Sequence, residues 1–156
     1  MGPGTLTVYS ASAGSGKTHT LTGIYLKSLF RSRFSYRRIL AVTFTHKSTA
    51  EMKGRILDEL NNLATGSPSE FLAGLTKSTG KPEEAVRREA GEILIAILHD
   101  FSRFSVSTID SFFQKIIRAF ARDIGLHSGF DIELDHTAIL ESAVDRMIDS
   151  ASDDTR

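Results

Sequence analysis

One stretch near the amino terminus constrains this chain more than any other: A-S-A-G-S-G-K-T. It matches the phosphate-loop pattern G-x-x-x-x-G-K-[ST] at every fixed position except the first, where Ala11 replaces glycine. Gly14 and Gly16 allow the backbone to curl until successive N–H groups face an anion. Lys17 would then reach the β- and γ-phosphates of ATP, and the Thr18 hydroxyl would ligate Mg²⁺. The predicted ATP/phosphate site comprises Ala11, Ser12, Ala13, Gly14, Ser15, Gly16, Lys17 and Thr18.

The flanking sequence supplies the order of strand, glycine loop and helix that this motif requires. Residues 5–9, T-L-T-V-Y, form a short β-prone run that ends just before the loop. Apolar residues then recur at helical spacing, at Leu21, Ile24, Tyr25, Leu26, Leu29 and Phe30. The alternative is a glycine-rich turn with a solvated lysine, which would not need this order. We therefore predict a strand–loop–helix unit that binds phosphate.

The composition is that of an ordinary globular protein. The chain has 156 residues, of which 40% are hydrophobic and 24% are charged. It contains no cysteine, which excludes disulfides, thiol catalysis and cysteine-ligated zinc. No stretch approaches the roughly 18 consecutive apolar residues of a membrane span. The amino terminus also lacks the basic start of a secretory signal. We expect a cytoplasmic protein with no membrane partner.

Charge is unevenly distributed along the chain, although the net charge is zero. Residues 1–55 hold nine Lys or Arg and a single acid, Glu51, whereas residues 131–156 hold eight acids and two arginines. A basic amino-terminal half would suit a polyanion such as nucleic acid. Alternatively, the two ends neutralise each other in the fold or are solvated faces. The charge pattern alone favours neither interpretation.

A second motif follows a predicted strand. Residues 39–42, I-L-A-V, are continuously apolar, as in a strand covered on both faces of a parallel sheet, and they complete a predicted βαβ unit. Residues 43–47, T-F-T-H-K, would lie at the carboxyl end of that strand, the edge where open α/β sheets bind ligands. The next helix begins either with Ser48 in capping-box spacing or with Thr45 as its cap. Its apolar face would hold Met52, Ile56, Leu57, Leu60 and Leu63.

The middle of the chain is predicted to be helical. Turn-forming residues at 65–69 end the preceding helix, and a long amphipathic helix is predicted from Pro82 to Phe101. The run I-L-I-A-I-L-H-D at residues 93–100 resembles a strand that ends in an acid. The helical period continues through it, however, so we predict helix there as well.

The sequence pattern in the last third of the chain predicts two more helices. The first covers residues 109–124 with a broad apolar stripe and ends at Gly125. Residues 130–134 are predicted to be extended. Residues 137–148 would form an acidic helix whose narrow apolar stripe packs on the helical region or on a partner surface. Residues 150–156 are expected to fray.

Three blocks of this sequence carry a family resemblance. I-L-A-V-T-F-T followed by H-K-S-T-A-E-M-K-G-R-I resembles motif Ia of UvrD/Rep-like superfamily-one helicases. Together with A-S-A-G-S-G-K-T it is most similar to the RecB/AddA branch, the helicase-nuclease subunits of double-strand-break repair. Residues 105–114, S-V-S-T-I-D-S-F-F-Q, resemble the T-I-H-[SG]-F segment of that branch. The three blocks occur in the family's order.

The resemblance implies an α/β fold: a P-loop NTPase (RecA-like) partial parallel sheet with an inserted helical subdomain. Residues 1–64 would be the first part of the nucleotide-binding domain, and residues 65–156 a mainly helical insertion with residues 105–114 returning towards the sheet. The implied activity is ATP-dependent translocation on single-stranded DNA and duplex unwinding in recombinational repair, in the bacterial cytoplasm at the nucleoid. Lys17 and Thr18 would be the catalytic residues, with ATP and Mg²⁺ as cofactors.

The resemblance also implies which residues contact single-stranded DNA. They are Thr43, Phe44, Thr45, Lys47, Thr108 and Ser111. Short hydroxyls and a lysine suit phosphate oxygens, and an aromatic ring suits base stacking. From the residues alone, Phe44 in the core is the alternative. His46 departs from the family's asparagine, and Asp110 departs from its histidine and brings a carboxylate near the expected path of the phosphates.

Nucleotide hydrolysis in this family needs a second acidic motif at the end of a buried strand. We find none, because residues 106–110, V-S-T-I-D, are too polar for a buried central strand. We expect the chain to be the amino-terminal piece of a larger helicase polypeptide, which works with its remaining domains and a partner subunit. On its own it should bind ATP weakly at most and hydrolyse none at a helicase-like rate.

Two other classes of function remain open from the sequence. One is a complete small P-loop kinase or transferase that uses Asp100 or Asp110 as its acid. The other is a non-catalytic interaction module whose loop binds an anion structurally. The glutamine that reads adenine in UvrD-like relatives is not visible in residues 1–10, so base selectivity stays open.

Overall fold

The structure, a computed structural model, describes residues 5–10, 16–121 and 136–153. Its helices and strands, in chain order, are α1 (Lys17–Leu29), β1 (Ala41–Thr43), α2 (His46–Thr65), α3 (Leu72–Thr79), α4 (Glu83–His99), β2 (Val106–Thr108), α5 (Ile109–Phe120) and α6 (His136–Asp153). Short 3-10 helices at Ser35–Arg38 and Phe101–Arg103 precede the two strands. The chain divides into two compact units, Met1–Phe112 and Phe113–Arg156.

The sheet of the first unit consists of β1 and β2, which pair in parallel. Ala41 lies opposite Val106, and Thr43 lies opposite Thr108. Residues 106–110 were predicted to be too polar for a buried central strand; residues 106–108 nevertheless form a strand that pairs with β1 on one side, with Val106 and Thr108 buried. Thr108 is only 3% exposed. Its hydroxyl donates to Ser111 Oγ at 2.8 Å, and this hydrogen bond allows a polar side chain to be buried.

The predicted first strand does not form. Residues 5–10 have no regular secondary structure, and Leu6 is 89% exposed. An isolated run of β-prone residues gains little without a neighbouring strand for its N–H and C=O groups, and no described strand pairs with this one. The βαβ unit predicted from it is absent from the described residues. The parallel connection that the structure contains runs instead from β1 through α2, α3 and α4 to β2.

Residues 39–42, at the start of β1 and just before it, are less buried than their apolar sequence predicted. Leu40 and Val42 are both exposed, while Ile39 and Ala41 are partly buried against the core. The prediction of a strand covered on both faces is thus wrong for the described residues. In them β1 pairs on one side only, and one of its faces packs against helix α2.

The core of the first unit lies mainly between α2 and α4. Met52, Ile56, Leu60 and Leu63 are buried on α2, and Leu57 is partly buried beside them, which confirms the predicted apolar face. The buried residues of α4 follow the same helical spacing and are Val86, Ala90, Ile93, Ala96 and Ile97. The acid-ended run at residues 93–100 is therefore helical up to His99, as predicted. From α1, Tyr25, Leu26 and Leu29 complete this core.

The ends of the helices follow local chemistry. Thr45 rather than Ser48 caps α2, because its side chain accepts a hydrogen bond from the Ser48 backbone N–H at 3.1 Å. Helix α2 ends at Gly66, whose φ of 81° places it in the left-handed region. Pro82 is the residue before α4 rather than its first residue.

The second unit contains most of α5 and all of α6. Helix α5 ends at Phe120, earlier than predicted, and residues 122–135, including the predicted end at Gly125 and the extended piece at 130–134, lie outside the described residues. Helix α6 extends to Asp153, so the prediction of fraying from residue 150 is wrong up to that position. Its apolar residues Leu140, Val144, Met147 and Ile148 are exposed. No described helix is long and apolar enough to cross a membrane.

Candidate functional site

The phosphate-loop motif meets α1 at Gly16. This residue has φ 78° and ψ 17°, a left-handed conformation that is strained for any residue with a Cβ. Its carbonyl accepts the first hydrogen bond of the helix, from the Thr20 N–H at 2.9 Å. Apart from its chain neighbours, no described residue has an atom within 4 Å of the position that a Cβ would occupy. The glycine is therefore required by backbone conformation rather than by crowding. Predicted site residues Ala11, Ser12, Ala13, Gly14 and Ser15 lie outside the described residues.

Lys17 and Thr18 form the start of α1, where the structure exposes both side chains. The Thr18 carbonyl accepts a 2.8 Å hydrogen bond from the Thr22 hydroxyl, and Thr22 is buried. No side chain of the described residues caps this helix, and the helix dipole favours negative charge at this end. A cavity of about 480 Å³ lies beside Lys17, lined also by Thr7, Val8, Tyr9, Ser10, Thr20 and Leu21. This end of α1 suits phosphate groups.

A second cluster lies at the carboxyl ends of the two strands. After β1, Phe44 is 87% exposed, so the alternative of Phe44 in the core is wrong. Lys47 is exposed on the first turn of α2. Thr43 is held internally: its hydroxyl lies 2.6 Å from that of Thr49 and donates to the Thr45 carbonyl at 3.1 Å. The loop thus presents one aromatic ring and one ammonium group, on a backbone fixed by threonine hydroxyls.

The strand register brings the third sequence block beside the second. Thr43 and Thr108 are cross-strand partners at the carboxyl edge, so the segments that follow them start side by side. Thr108 is buried and accepts a hydrogen bond from the Ser111 N–H at 3.2 Å, which places it as a capping residue at the start of α5. Ser111 is partly buried, and Asp110 is exposed in the first turn of that helix.

Residues 105–114 were expected to return towards the sheet, but the strand pairing itself was not predicted, although a signal was present. Both segments have a short strand that ends in threonine and leads into a helix through a hydroxyl cap, A-V-T-F-T and V-S-T-I-D-S. The six predicted DNA-contact residues therefore lie at two adjacent strand ends. Within this set, the burial of Thr108 favours a positioning role for it, whereas Phe44, Lys47 and Ser111 are accessible.

Asp100, the candidate acid of the kinase alternative, does not lie at this edge. Asp100 precedes the second 3-10 helix, and its carboxylate lies 2.8 Å from the Arg37 guanidinium. This ion pair at the amino ends of the strands removes Asp100 from the edge where α/β sheets bind ligands.

In the described part of the chain, no group of three His, Asp or Glu side chains is arranged to hold a metal ion. A metal at Thr18 would need most of its ligands from a nucleotide and water.

Comparison with known proteins agrees with the three sequence blocks. Residues 3–156 match the family model described as the UvrD/REP helicase N-terminal domain. The chain is 34% identical to an ATP-dependent helicase/nuclease subunit of Lactobacillus acidophilus over 145 residues, which cover 92% of this chain and 10% of the relative. It is 29% identical to the RecB subunit of the RecBCD enzyme of Escherichia coli over 131 residues, covering 74% of this chain and 10% of the relative.

The match is confined to one part of these large relatives. The chain spans about a tenth of the length of the curated relatives it matches. No solved structure matches it significantly. Because the family model covers almost the entire sequence, the chain belongs to the UvrD/REP helicase N-terminal domain family.

Proposed function

We propose that this chain is the ATP-binding amino-terminal portion of an ATP-dependent DNA helicase that translocates on single strands and unwinds duplexes in recombinational repair. The observation that carries the proposal is the left-handed Gly16 directly before the exposed Lys17 and Thr18 at the start of α1. In a chain of this family, that arrangement suits the phosphates of ATP. The relatives' names, which describe the RecB subunit of RecBCD and an ATP-dependent helicase/nuclease, support the helicase context.

Each residue of the phosphate site has a proposed role. The N–H groups of residues 11–16 and of the first turn of α1 would bind the phosphate oxygens. The Lys17 ammonium would neutralise charge on the β- and γ-phosphates, and the Thr18 hydroxyl would be one ligand of Mg²⁺. When bound, the metal would offset the negative charge of the phosphates. The chain's own contribution is to fix the triphosphate at one helix end.

DNA would bind at the carboxyl edge of the strand pair. Phe44 is placed to stack on a base, Lys47 to contact a phosphate, and the Ser111 hydroxyl to donate to a phosphate oxygen. Thr43, Thr45 and Thr108 would act mainly by holding the two segments in place, since their hydroxyls already bond within the chain. Asp110, exposed beside Ser111, would keep phosphates on the Phe44 side through charge repulsion.

We propose that these residues form one part of a larger helicase polypeptide. Residues 1–64 would belong to its nucleotide-binding domain, and residues 65–156 to a helical insertion. Its partners would be single-stranded DNA, the other helicase domains and a second protein of the complex, in the bacterial cytoplasm at the nucleoid. The position of Asp100, paired with Arg37 away from the carboxyl edge, argues against the alternative of a complete small kinase with Asp100 as its acid.

Thermal unfolding with and without millimolar Mg-ATP tests the proposal. A ligand that binds only the folded chain stabilises it by about 1.4 kcal/mol at roughly ten times its Kd. We expect a rise in Tm for the parent chain and none for Lys17→Ala. Lys27→Ala is the matched control, because Lys27 is an exposed lysine in the last turn of the same helix. Equal rises in the Lys17→Ala and Lys27→Ala variants, or no rise in the parent chain, would contradict the proposal.

A further inference from the structure

A second basic surface lies at the opposite edge of the strand pair. Because β1 and β2 are parallel, their amino ends share one edge, and each is preceded by a short 3-10 helix, Ser35–Arg38 and Phe101–Arg103. We call the side chains gathered here the amino-edge surface. It consists of Arg33, Phe34, Arg37, Lys53, Phe101 and Arg103. The predicted DNA contacts at residues 43–47 and 108–111 lie at the other edge.

Cations stack on aromatic rings at two places in this surface. The Arg37 guanidinium carbon lies 4.7 Å from the centroid of the Phe34 ring, and that of Arg33 lies 5.7 Å from it. The Lys53 ammonium lies 5.4 Å from the centroid of the Phe101 ring. Phe34 is 49% exposed, and Phe101 is also exposed. Large apolar rings that stay accessible beside cations are the combination that single-stranded nucleic acids use for stacking and phosphate contact.

The central arginine is held in a fixed orientation. Arg37 forms a 2.8 Å ion pair with Asp100, and its Nε donates to the Tyr36 hydroxyl at 3.3 Å. Tyr36 is fully buried, and its hydroxyl donates to the Ala96 carbonyl at 3.1 Å. The hydrogen bond to Tyr36, together with the nearby Asp100, raises the pKa of Arg37 above its ordinary value. The Arg37 guanidinium and the Phe34 ring that it stacks on are thus held in place before any ligand binds.

The cleft between these groups is positively charged. Its volume is about 440 Å³, and its lining contains Arg33, Arg37 and Arg103 against the single carboxylate of Asp100. Asp100 is engaged by Arg37 at 2.8 Å and only distantly by Arg103 at 4.0 Å. No carboxylate of the described residues pairs with Arg33. Two arginines therefore keep charge available for anionic groups of a ligand.

We propose that the amino-edge surface is a second binding site for single-stranded nucleic acid. Arg33 and Arg103 would contact successive phosphates, and a base would stack on the Phe34–Arg37 pair. An acidic peptide would satisfy the arginines but would leave the exposed rings of Phe34 and Phe101 without a stacking partner. The site goes beyond the proposed function, because none of its residues belongs to the phosphate loop or to the carboxyl-edge contacts.

Binding of a fluorescein-labelled oligothymidylate to the whole chain, measured by anisotropy over a series of salt concentrations, tests this site. For a single strand, log K falls with log salt, and each lost phosphate contact makes this negative slope shallower by about 0.7. The double variant Arg33→Gln, Arg103→Gln should therefore make the slope shallower by about 1.4. Phe34→Leu should weaken binding by about fivefold or more, with the slope retained.

Matched controls separate a local effect from a loss of overall charge. Arg55→Gln combined with Arg88→Gln removes the same charge from exposed positions on α2 and α4 outside the surface, and it should leave the slope nearly unchanged. If both double variants change the slope equally, or neither does, the second site is disproved. It is also disproved if an oligoglutamate peptide binds with the same dependence on Arg33 and Arg103 while the oligothymidylate does not.

The two DNA proposals fail independently in this assay. A variant with Phe44→Ala and Lys47→Gln removes the accessible groups of the carboxyl edge. Loss of binding in that variant alone would retain the proposed function and overturn the second site. Loss in the amino-edge variants alone would support the second site and remove the DNA contact proposed for the residue 43–47 loop.

Discussion

Gly16 has a left-handed backbone directly before the lysine of the phosphate site, and no described residue beyond its chain neighbours crowds the position of a side chain there. Gly16→Ala should therefore destabilise the fold by about 1 kcal/mol through backbone strain alone. It should also weaken Mg-ATP binding, because the strain is relieved by moving the first N–H groups of α1. Chemical denaturation and nucleotide titration measure the two effects.

Gly54→Ala is the control for this change. Gly54 lies inside α2, and beyond the nearby helix backbone no atom in the described part of the chain is within 4 Å of the position of an added Cβ. Alanine there should stabilise the chain by roughly 0.5–1 kcal/mol, because a helix interior favours alanine over glycine. If the two substitutions changed stability in the same direction, the conformation assigned to Gly16 would be contradicted.

Tyr25 is a buried residue whose hydroxyl finds no hydrogen-bond partner among the described residues. Its ring packs edge-on against Phe104 at 6.0 Å. Burial raises the pKa of Tyr25 above its ordinary value of 10.0, because the folded chain disfavours the phenolate. The stability that the neutral Tyr25 hydroxyl contributes is therefore fully present below pH 10.0. It is lost as the pH rises above that value, because Tyr25 then ionises in the unfolded chain but not in the folded one.

Tyr25→Phe should remove both the unsatisfied hydroxyl and this pH dependence. At pH 8 the variant should be as stable as the parent chain or up to about 1 kcal/mol more stable. By about pH 10.5 the parent should have lost about 1 kcal/mol relative to the variant. Urea unfolding at a series of pH values gives the comparison. Parallel pH profiles for the two proteins would show that Tyr25 ionises as freely in the folded chain as in the unfolded one.

At the scale of elements, α2 and α4 supply most of the packing. Ile56 is fully buried between these helices, so Ile56→Ala should cost about 2–5 kcal/mol of unfolding free energy. Leu98 lies on α4 but is exposed, and Leu98→Ala should change stability by less than about 0.5 kcal/mol. Denaturant unfolding of the two variants measures the difference. Similar losses would place the core elsewhere than between α2 and α4.

The helices were predictable because their signals are local. Met52, Ile56, Leu60 and Leu63 repeat at the helical period, and this repeat specifies both the helix and its buried face. The strands were less predictable because their formation depends on a distant partner. Residues 106–108 form a strand despite Ser107 and Thr108, since pairing with β1 satisfies backbone groups and Ser111 bonds to the buried Thr108 hydroxyl.

The candidate site shows the same division. Lys17 and Thr18 were predictable from their positions in the phosphate-loop pattern. The structure places them at the start of α1, where that motif needs a helix to begin. The amino-edge surface was not predictable, because Arg37 and Asp100 are 63 positions apart in sequence and meet only through the fold.

At the scale of the whole molecule, the chain corresponds to a small part of its relatives. Its family match is nearly complete, yet it spans about a tenth of their length. The described residues supply chemical groups for two parts of the proposed helicase cycle, phosphate binding and DNA contact. We therefore expect nucleotide binding without steady hydrolysis, and DNA binding that does not require ATP turnover.

A titration of the isotope-labelled chain with Mg-ATP, followed by amide NMR, tests the central claim most directly. The account predicts that the largest shifts fall on the N–H groups of Gly16, Lys17 and Thr18, that they saturate at millimolar nucleotide, and that Lys17→Ala abolishes them while Lys27→Ala does not. Largest shifts on another element, or identical titrations of the parent chain and Lys17→Ala, would contradict an ATP site at the start of α1.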